Sequence, residues 1–491
     1  METNMTRRTY GWLAIPILSI AVWSGCAVGP NYKRPAADVP GMYRGASTEE
    51  PSTSEVKTTT PGQVAAAPAT PQSTASLGDE KWWEVFEDPE LQSLIRTALK
   101  NNYDVRIAAM RVLEAQAQVG ITRADQYPSL GVGGAVGDQR SPAIGPIPSY
   151  EVSLGQVTAS AAWNLDFWGR YRRATEAARA NLLANEWAQK QVMATLVANV
   201  AAAYFQLREL DLELEISKRT LGSRSDSLKL TQTLEQHGIN SMLDVRQSEQ
   251  LVYTAAEEVP DFERQIAQQE NALSILLGRN PGDIPRGLKL TEQPHSPEVP
   301  AGLPSSLLER RPDIREAEQS LIAANAQIGV ARSAYFPQIS LTGSAGFETP
   351  ALTSLFTGPA GLWTFGASLT QPIFEGGRIK SNVRLTEAQR EQYLLAYQQT
   401  IQGAFRDVSN GLVAYRKDRE FRIQQEQLWK SAQDAARLSE VRFKAGTTDY
   451  LEVLTNETNS FTAELGLAQA QGNELIALVQ LYQSLGGGWQ Q

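Results

Sequence analysis

Cysteine is all but missing from this chain: across 491 residues only Cys26 occurs. A single Cys closes no internal disulfide, whatever the redox state of its compartment. Histidine is nearly as scarce, at His237 and His295 alone. The six methionines, Met1, Met5, Met42, Met110, Met193 and Met242, are scattered, so no soft-metal site forms from them. No metal-ligand spacing and no phosphate-cradling Gly loop after a strand is present either. Neither an enzyme nor a bound cofactor or metal is expected. Beyond the N-terminus no run of 18 apolar residues occurs, so no transmembrane helix is expected there. Any further contact with a membrane must come through an anchor or through strands. Basic charge is in deficit as well, with 45 Lys and Arg against 54 Asp and Glu, which argues against a nucleic-acid partner.

Proline and glycine are absent where they matter most. From Gly169 to Gln236 there is no Pro and, after the first residue, only Gly222. Within it Met193, Leu196, Val200, Ala203, Leu207, Leu210 and Leu214 follow a 3-4-3-4 spacing, the seam of a coiled coil. An unbroken helix of this length would run roughly 100 Å. Arg378 to Lys444 is a second such stretch, with its seam at Ile401, Phe405, Val408, Leu412 and Tyr415. Each long helix meets a Gly-containing turn, Gln236-His237-Gly238-Ile239-Asn240 or Ala445-Gly446-Thr447-Thr448-Asp449, where Gly permits the left-handed conformation that ends a helix. A shorter return helix follows each turn, and in the second it carries Leu451, Leu454, Phe461, Leu465 and Ala468. Two antiparallel helical hairpins per chain are expected, their tips far from the strands described below.

The first 25 residues read as an export signal: Arg7-Arg8, an apolar run from Gly11 to Trp23, then Ser24-Gly25-Cys26. Ser-Gly-Cys resembles the bacterial lipobox, although Trp23 stands where Leu is usual. Ala27 rather than Asp after the Cys resembles the signal for sorting to the outer membrane. Two readings stand, an acylated Cys26 or a plain leader with a coincidental Cys. The first is favoured because the chain's one Cys lies where acylation needs it, and several acyl chains anchor stably. Gly45 to Gly78 is rich in Ser, Thr, Pro and Ala, the composition of an extended linker. Order is expected to resume at Trp82-Trp83, with a cap at Asp88-Pro89-Glu90 and a short helix behind it.

The chain repeats itself. Asp104-Val105-Arg106 matches Asp313-Ile314-Arg315, and Gln118-Val119-Gly120-Ile121 matches Gln327-Ile328-Gly329-Val330, both at an offset of 209. Gly169-Arg170 matches Gly377-Arg378 at 208, as do Gly238 with Gly446, Leu243-Asp244-Val245 with Leu451-Glu452-Val453, and Leu277-Gly278 with Leu485-Gly486. This is a tandem duplication. Each copy holds two strand candidates with alternating character: Leu130, Val132 and Val136, then Val157, Ala159, Ala161 and Trp163, in the first. In the second, Ile339, Leu341, Gly343, Ala345 and Phe347 alternate with Ser340, Thr342, Ser344, Gly346 and Glu348, and Phe365, Ala367 and Leu369 with Gly366, Ser368 and Thr370. Such alternation suits a membrane β-barrel with a wet lumen. Four strands cannot close around water, so several chains must contribute. The other reading is a small soluble hairpin sheet.

Taken in order, these residues resemble the outer-membrane factor lipoproteins of tripartite efflux pumps, the TolC and OprM type. The resemblance rests on Cys26 with Gly29-Pro30-Asn31-Tyr32-Lys33-Arg34-Pro35, on Trp82-Trp83, and on Arg310-Arg311-Pro312-Asp313-Ile314-Arg315-Glu316-Ala317-Glu318. Pro372-Ile373-Phe374-Glu375-Gly376-Gly377-Arg378 and the two Gly tips complete it. It implies an α+β membrane protein: a homotrimer whose 12-stranded outer-membrane β-barrel, with four strands per protomer, continues into a 12-helix periplasmic α-barrel. The implied segments are a signal peptide at 1–25, a lipidated N-terminus and linker at 26–78, and equatorial and first-repeat helices at 79–128. The first β-hairpin follows at 129–168, the first helical hairpin at 169–280 and an inter-repeat linker at 281–311. The second-repeat helix at 312–337, β-hairpin at 338–374, helical hairpin at 375–486 and a tail at 487–491 complete the chain.

The same resemblance implies a lipid-anchored protein in the outer membrane of a Gram-negative bacterium. Its partners would be a periplasmic adaptor (membrane fusion) protein, an inner-membrane transporter of the RND type, and outer-membrane lipid. It further implies a tip gate. Leu451 falls on an apolar ring position and Glu452 on an acidic one; Thr455 stands where a second acidic ring is common, and Asp449 is nearer the tip. Asp244 matches an Asp that bonds a basic residue across the tip, but Thr448 occupies the basic position. Helix capping is the other reading of Asp244, Asp449 and Glu452, and an ordinary seam position that of Leu451. The Arg311-Pro312-Asp313-Ile314-Arg315 stretch reads as a helix start, with Asp313 at the positive end. The function implied is a passive exit duct for small molecules. A periplasmic coiled-coil adaptor or scaffold without a pore, or a protein-secretion channel of the same fold, are the alternatives.

Overall fold

The computed structural model describes residues 27–44, 76–294, 299–350 and 352–490. The expected signal peptide, Cys26, most of the linker and His295 lie outside the described residues. In the first repeat come α1 (Trp82–Val85), α2 (Pro89–Asn101), α3 (Tyr103–Ala124), β1 (Ser129–Ser141), β2 (Tyr150–Leu165), α4 (Arg170–Gln236) and α5 (Met242–Leu276). The second repeat has α6 (Pro304–Arg310), α7 (Pro312–Ser333), β3 (Gln338–Thr349), β4 (Gly361–Thr370), α8 (Arg378–Lys444) and α9 (Tyr450–Ser484). Helices α4 and α8 are each 67 residues long, and α5 and α9 each 35, so the duplication read from the sequence is a duplication of structure. Two compact units divide the described residues, one from those within 1–36, 111–186 and 316–398, the other from those within 37–110, 187–315 and 399–491.

The first unit holds the sheet. Its order is β1-β2-β3-β4 and every pair is antiparallel. The registers place Val132 opposite Ala159, Ala159 opposite Ala345 and Ala345 opposite Trp363, so the alternation of each strand falls into line with its neighbours. One face therefore carries Leu130, Val132, Val157, Leu341, Trp363 and Phe365. The opposite face carries mainly Gly, Ser, Thr and Ala, with Val152, Leu154 and Leu362 toward the loop ends, and there Ser340 bonds Ser368 at 2.7 Å and Ser344 bonds Thr364 at 2.8 Å. The apolar face is uncovered, with Trp363 79% exposed. Among the described residues β1 and β4 each pair on one side only, which leaves two free edges.

Beneath the strands, in the same unit, α4 lies against α7. Ala177 and Ala180 of α4 and Ala323 and Ala326 of α7 form a buried cluster with Ile322 packed on it. Small side chains let the two backbones approach closely, as in close helix pairs generally.

In the second unit α4 and α5 run antiparallel: Arg224 donates to the Leu251 carbonyl at 2.9 Å and Gln269 to the Ala203 carbonyl at 2.8 Å. Likewise α8 pairs with α9, where Gln425 donates to the Ala463 carbonyl at 3.2 Å and Arg422 pairs with the buried Glu474. Met193, Leu196, Val200, Leu207 and Leu210 of the first seam are buried, as are Ile401, Val408, Leu412 and Tyr415 of the second. Ahead of them, Asp88 caps α2 through the Glu90 amide at 2.9 Å and is fully buried. Its other oxygen accepts from the Tyr204 hydroxyl at 2.9 Å, the Leu288 amide at 3.0 Å and Gln293 at 2.9 Å. Arg311, immediately before Pro312 at the start of α7, pairs with Asp313 at 2.6 Å and Asp407 at 3.6 Å and donates to the Ser484 carbonyl at 3.2 Å.

Candidate functional site at the helical tips

Both tips are built by the same backbone device. Gly238 at φ +76° and Gly446 at φ +72° take the left-handed conformation. At the first, the Gly238 amide bonds the Glu235 carbonyl and the Ile239 amide bonds that of Leu234; at the second, Gly446 bonds Phe443 and Thr447 bonds Arg442. This pair of bonds satisfies the last carbonyls of each long helix and reverses the chain.

The return helices start differently in their side chains. Ser241 caps α5, and Asp244 closes the box: its amide bonds Ser241 Oγ at 3.2 Å while its Oδ2 accepts from the Ser241 amide at 2.9 Å. One repeat on, Asp449 caps α9 by accepting from the Glu452 amide at 3.0 Å. Glu452 does not turn back to the cap. It accepts from Arg442 at 2.6 Å and from the Thr448 hydroxyl, so both oxygens are held inside its own tip. Thr448, at the expected basic position, thus bonds Glu452.

Leu451 is 57% exposed, and Leu243, its counterpart in the first repeat, is exposed too. Burial on α9 begins beside it: Tyr450, Val453 and Leu454 form a cluster with Leu251 and Phe443. The Ser248 hydroxyl donates to the Tyr450 hydroxyl at 2.9 Å, which ties the two tips together. The sequence reading passed over Arg442, Ser248 and Tyr450. Ser248 lies ten residues behind Gly238 and Tyr450 four behind Gly446, so no repeat position or helical period pairs them in the sequence.

A doubled chain with this sheet and these tips has known relatives. The pattern of one family, outer membrane efflux protein, matches residues 94–279 and again 303–487. The chain belongs to the outer membrane efflux protein family. It is similar to the toluene efflux pump outer membrane protein TtgC of Pseudomonas putida, at 37% identity over 486 residues, 96% of each chain. It is also similar to the cation efflux system protein CusC of Escherichia coli, at 33% identity over 481 residues, 97% of this chain and 99% of that one. Among solved structures, the open state of the Neisseria gonorrhoeae MtrE outer membrane channel superimposes with a TM-score of 0.82 at 31% identity, covering 94% of this chain and 99% of that one.

As an outer membrane efflux protein the chain is a non-enzymatic channel of the outer membrane that extends into the periplasm and serves an efflux pump. No helix among the described residues is long and apolar enough to cross a bilayer. The uncovered apolar face of the sheet is costly in water.

Proposed function

We propose that three copies of this chain close around one axis into a 12-stranded barrel and a 12-helix α-barrel, and that the resulting duct passively conducts small molecules handed over by a periplasmic adaptor and an RND-type inner-membrane transporter. One observation carries the reading: a sheet of four strands with two free edges, one apolar face and one face mainly of Gly, Ser, Thr and Ala. Such a sheet is stable in a bilayer only when closed, and its small polar residues then surround water. The repeat supports three copies rather than one chain alone. Ile322 packs on Ala177 inside the chain, whereas their counterparts one repeat away, Leu113 and Leu385, are 53% and 54% exposed. A neighbouring copy offers each the partner that its own chain supplies once.

In this reading Leu451, Glu452, Asp449 and Asp244 narrow the duct at the periplasmic tips, and Gly238 and Gly446 are the turns on which the tips reshape when the adaptor docks. Three carboxylates around one axis attract cations and repel one another, as pore rings do. Cys26 carries the acyl anchor. Solvents, antibiotics and cations, the cargo in the names of its relatives, are the substrate classes we assign to it, with antibiotic resistance as the consequence. The test is a planar-bilayer recording on purified protein. The duct predicts discrete conductance that rises in Glu452→Ala and Leu451→Ser; a silent bilayer with wild type and both variants contradicts it.

A further inference from the structure

A second site lies in the sheet-bearing unit, where β2 and β4 give way to helices. The ends of the strands, at Leu165, Gln338 and Thr370, and the starts of α4 and α8 enclose a cavity of about 630 Å³. One wall is the stacked pair Trp168 and Phe336, with ring centroids 4.7 Å apart, and Trp168 is fixed by donating Nε1 to the Pro337 carbonyl at 2.8 Å. Arg170, Arg378 and Glu375 also line it.

Asp166 caps α4, accepting from the amides of Tyr171 at 3.2 Å and Arg172 at 2.9 Å, but the guanidiniums of Arg170 and Arg378 stand against the helix dipole. Neither α4 nor α8 has an acidic residue in its first turn, where the helix dipole favours a carboxylate and disfavours a guanidinium. Arg172 is answered by Asp166 at 3.3 Å, and Arg378 by Glu375, whose Oε2 accepts from Nε at 3.1 Å. Arg170 has no carboxylate partner among the described residues; it is exposed, and its guanidinium lies 5.8 Å from the Tyr171 ring. Next to Glu375, Ile373 and Phe374 are 98% and 89% exposed. An apolar pair so fully uncovered, next in sequence to a cavity lined by the exposed Arg170 and at the base of a membrane-spanning sheet, has the polarity pattern of an amphiphile's partner.

We propose that this cavity binds a phospholipid of the inner leaflet of the outer membrane. Arg170 and Arg378 take the phosphate by charge-assisted hydrogen bonds, Glu375 faces the ammonium of a phosphoethanolamine headgroup, and Ile373 and Phe374 lie along the acyl chains. The occupant follows from continuity with the sheet and from the charge pattern. Free phosphate would leave Ile373 and Phe374 uncovered.

The full chain, purified in detergent and incubated with phosphatidylethanolamine, is weighed intact by native mass spectrometry. Wild type is expected to retain the lipid, and the double variant Arg170→Ala/Arg378→Ala to retain about a hundredfold less, the loss of two charge-assisted hydrogen bonds. Ile373→Ser/Phe374→Ser is expected to lose the lipid while the oligomer keeps its mass. Equal retention in wild type and both variants overturns the proposal. So does loss of lipid only together with loss of the oligomer, which assigns the patch to a neighbouring copy. Displacement of the lipid by inorganic phosphate alone also overturns it, because the site then reads a free anion. The readout is lipid mass, not conductance, so failure here is distinguishable from failure of the duct.

Discussion

Arg442 donates to Glu452 at 2.6 Å across the second tip, whereas Asp244, one repeat from Glu452, is folded back on Ser241. The duplication thus carries two carboxylates to equivalent places and uses them differently. The first completes a helix cap. The second is held by a cation and a hydroxyl in a partly exposed setting, where an ion pair is worth about 0.2–1 kcal/mol. A contact this weak restrains a tip without locking it.

Replacing Arg442 by Ala is therefore expected to raise the open probability in bilayer recordings by a few-fold, and to increase the preference for cations, because Glu452 is left unneutralised. Arg442→Lys should restore most of the wild-type behaviour. Unchanged gating and selectivity in Arg442→Ala would remove the pair from the gate.

A pH dependence follows from the interface of α4 with α9. Glu209 and Glu213 are one turn apart on α4; Glu209 lies against the backbone at Gly472, and Glu213 accepts from Gln469 at 2.9 Å. Burial first, then repulsion from Glu213, pushes Glu209 from 4.5 up to about 8. Burial, with Glu258 adding repulsion against the Gln469 bond, pushes Glu213 up to about 7. Between the unfolded value and these folded values the native state holds more protons than the unfolded chain, so stability falls as pH rises through that window and is fully present below it. Thermal unfolding in detergent should show Tm declining from about pH 5 to about pH 8. Glu209→Gln/Glu213→Gln should flatten that decline; an unchanged slope in the double variant would refute the assignment.

Asp88 joins α2, α4 and the segment around Gln293 through partners that are all inside the protein. Gly287 lies against that carboxylate with no room for a Cβ. Asp88→Ala leaves a buried hydroxyl, amide and carboxamide unpaired, and the expected cost is about 3 kcal/mol or more. Gly287→Ala should lower Tm in the same direction. Folded yield and Tm measure both, and wild-type stability in either would contradict this role.

Leu385 tests the packing of copy on copy. If it occupies in a neighbour the role that Ala177 plays against Ile322, then Leu385→Asp should reduce assembly in detergent while leaving the helical content of the chain intact. The same substitution on a surface that faces only solvent would cost within about 0.5 kcal/mol and change no mass.

Much of this was open to reading in the residues themselves. The near-constant offset, 209 between Asp104 and Asp313 and 208 between Gly238 and Gly446, required a doubled architecture, and the two pairs of equally long helices follow it. Alternation from Ile339 to Phe347 marked a strand because period-two burial has no other common source. The tips were harder. Leu451 continues the 3-4 spacing of Leu454, yet it is exposed, because spacing states which face a residue takes but not where its partner ends. Arg442 reaches Glu452 across a turn rather than along a helix, so no helical period links them. Asp88 was legible as a cap, through Pro89, but its bonds to Tyr204, Leu288 and Gln293 depend on segments far apart in the chain.

The mass of the detergent-solubilised assembly, measured by sedimentation velocity or light scattering with the detergent subtracted, tests the closed duct most directly. A particle of three chains that conducts in bilayers is the predicted result. A stable particle of one chain, with its four strands intact and both edges open, would contradict it.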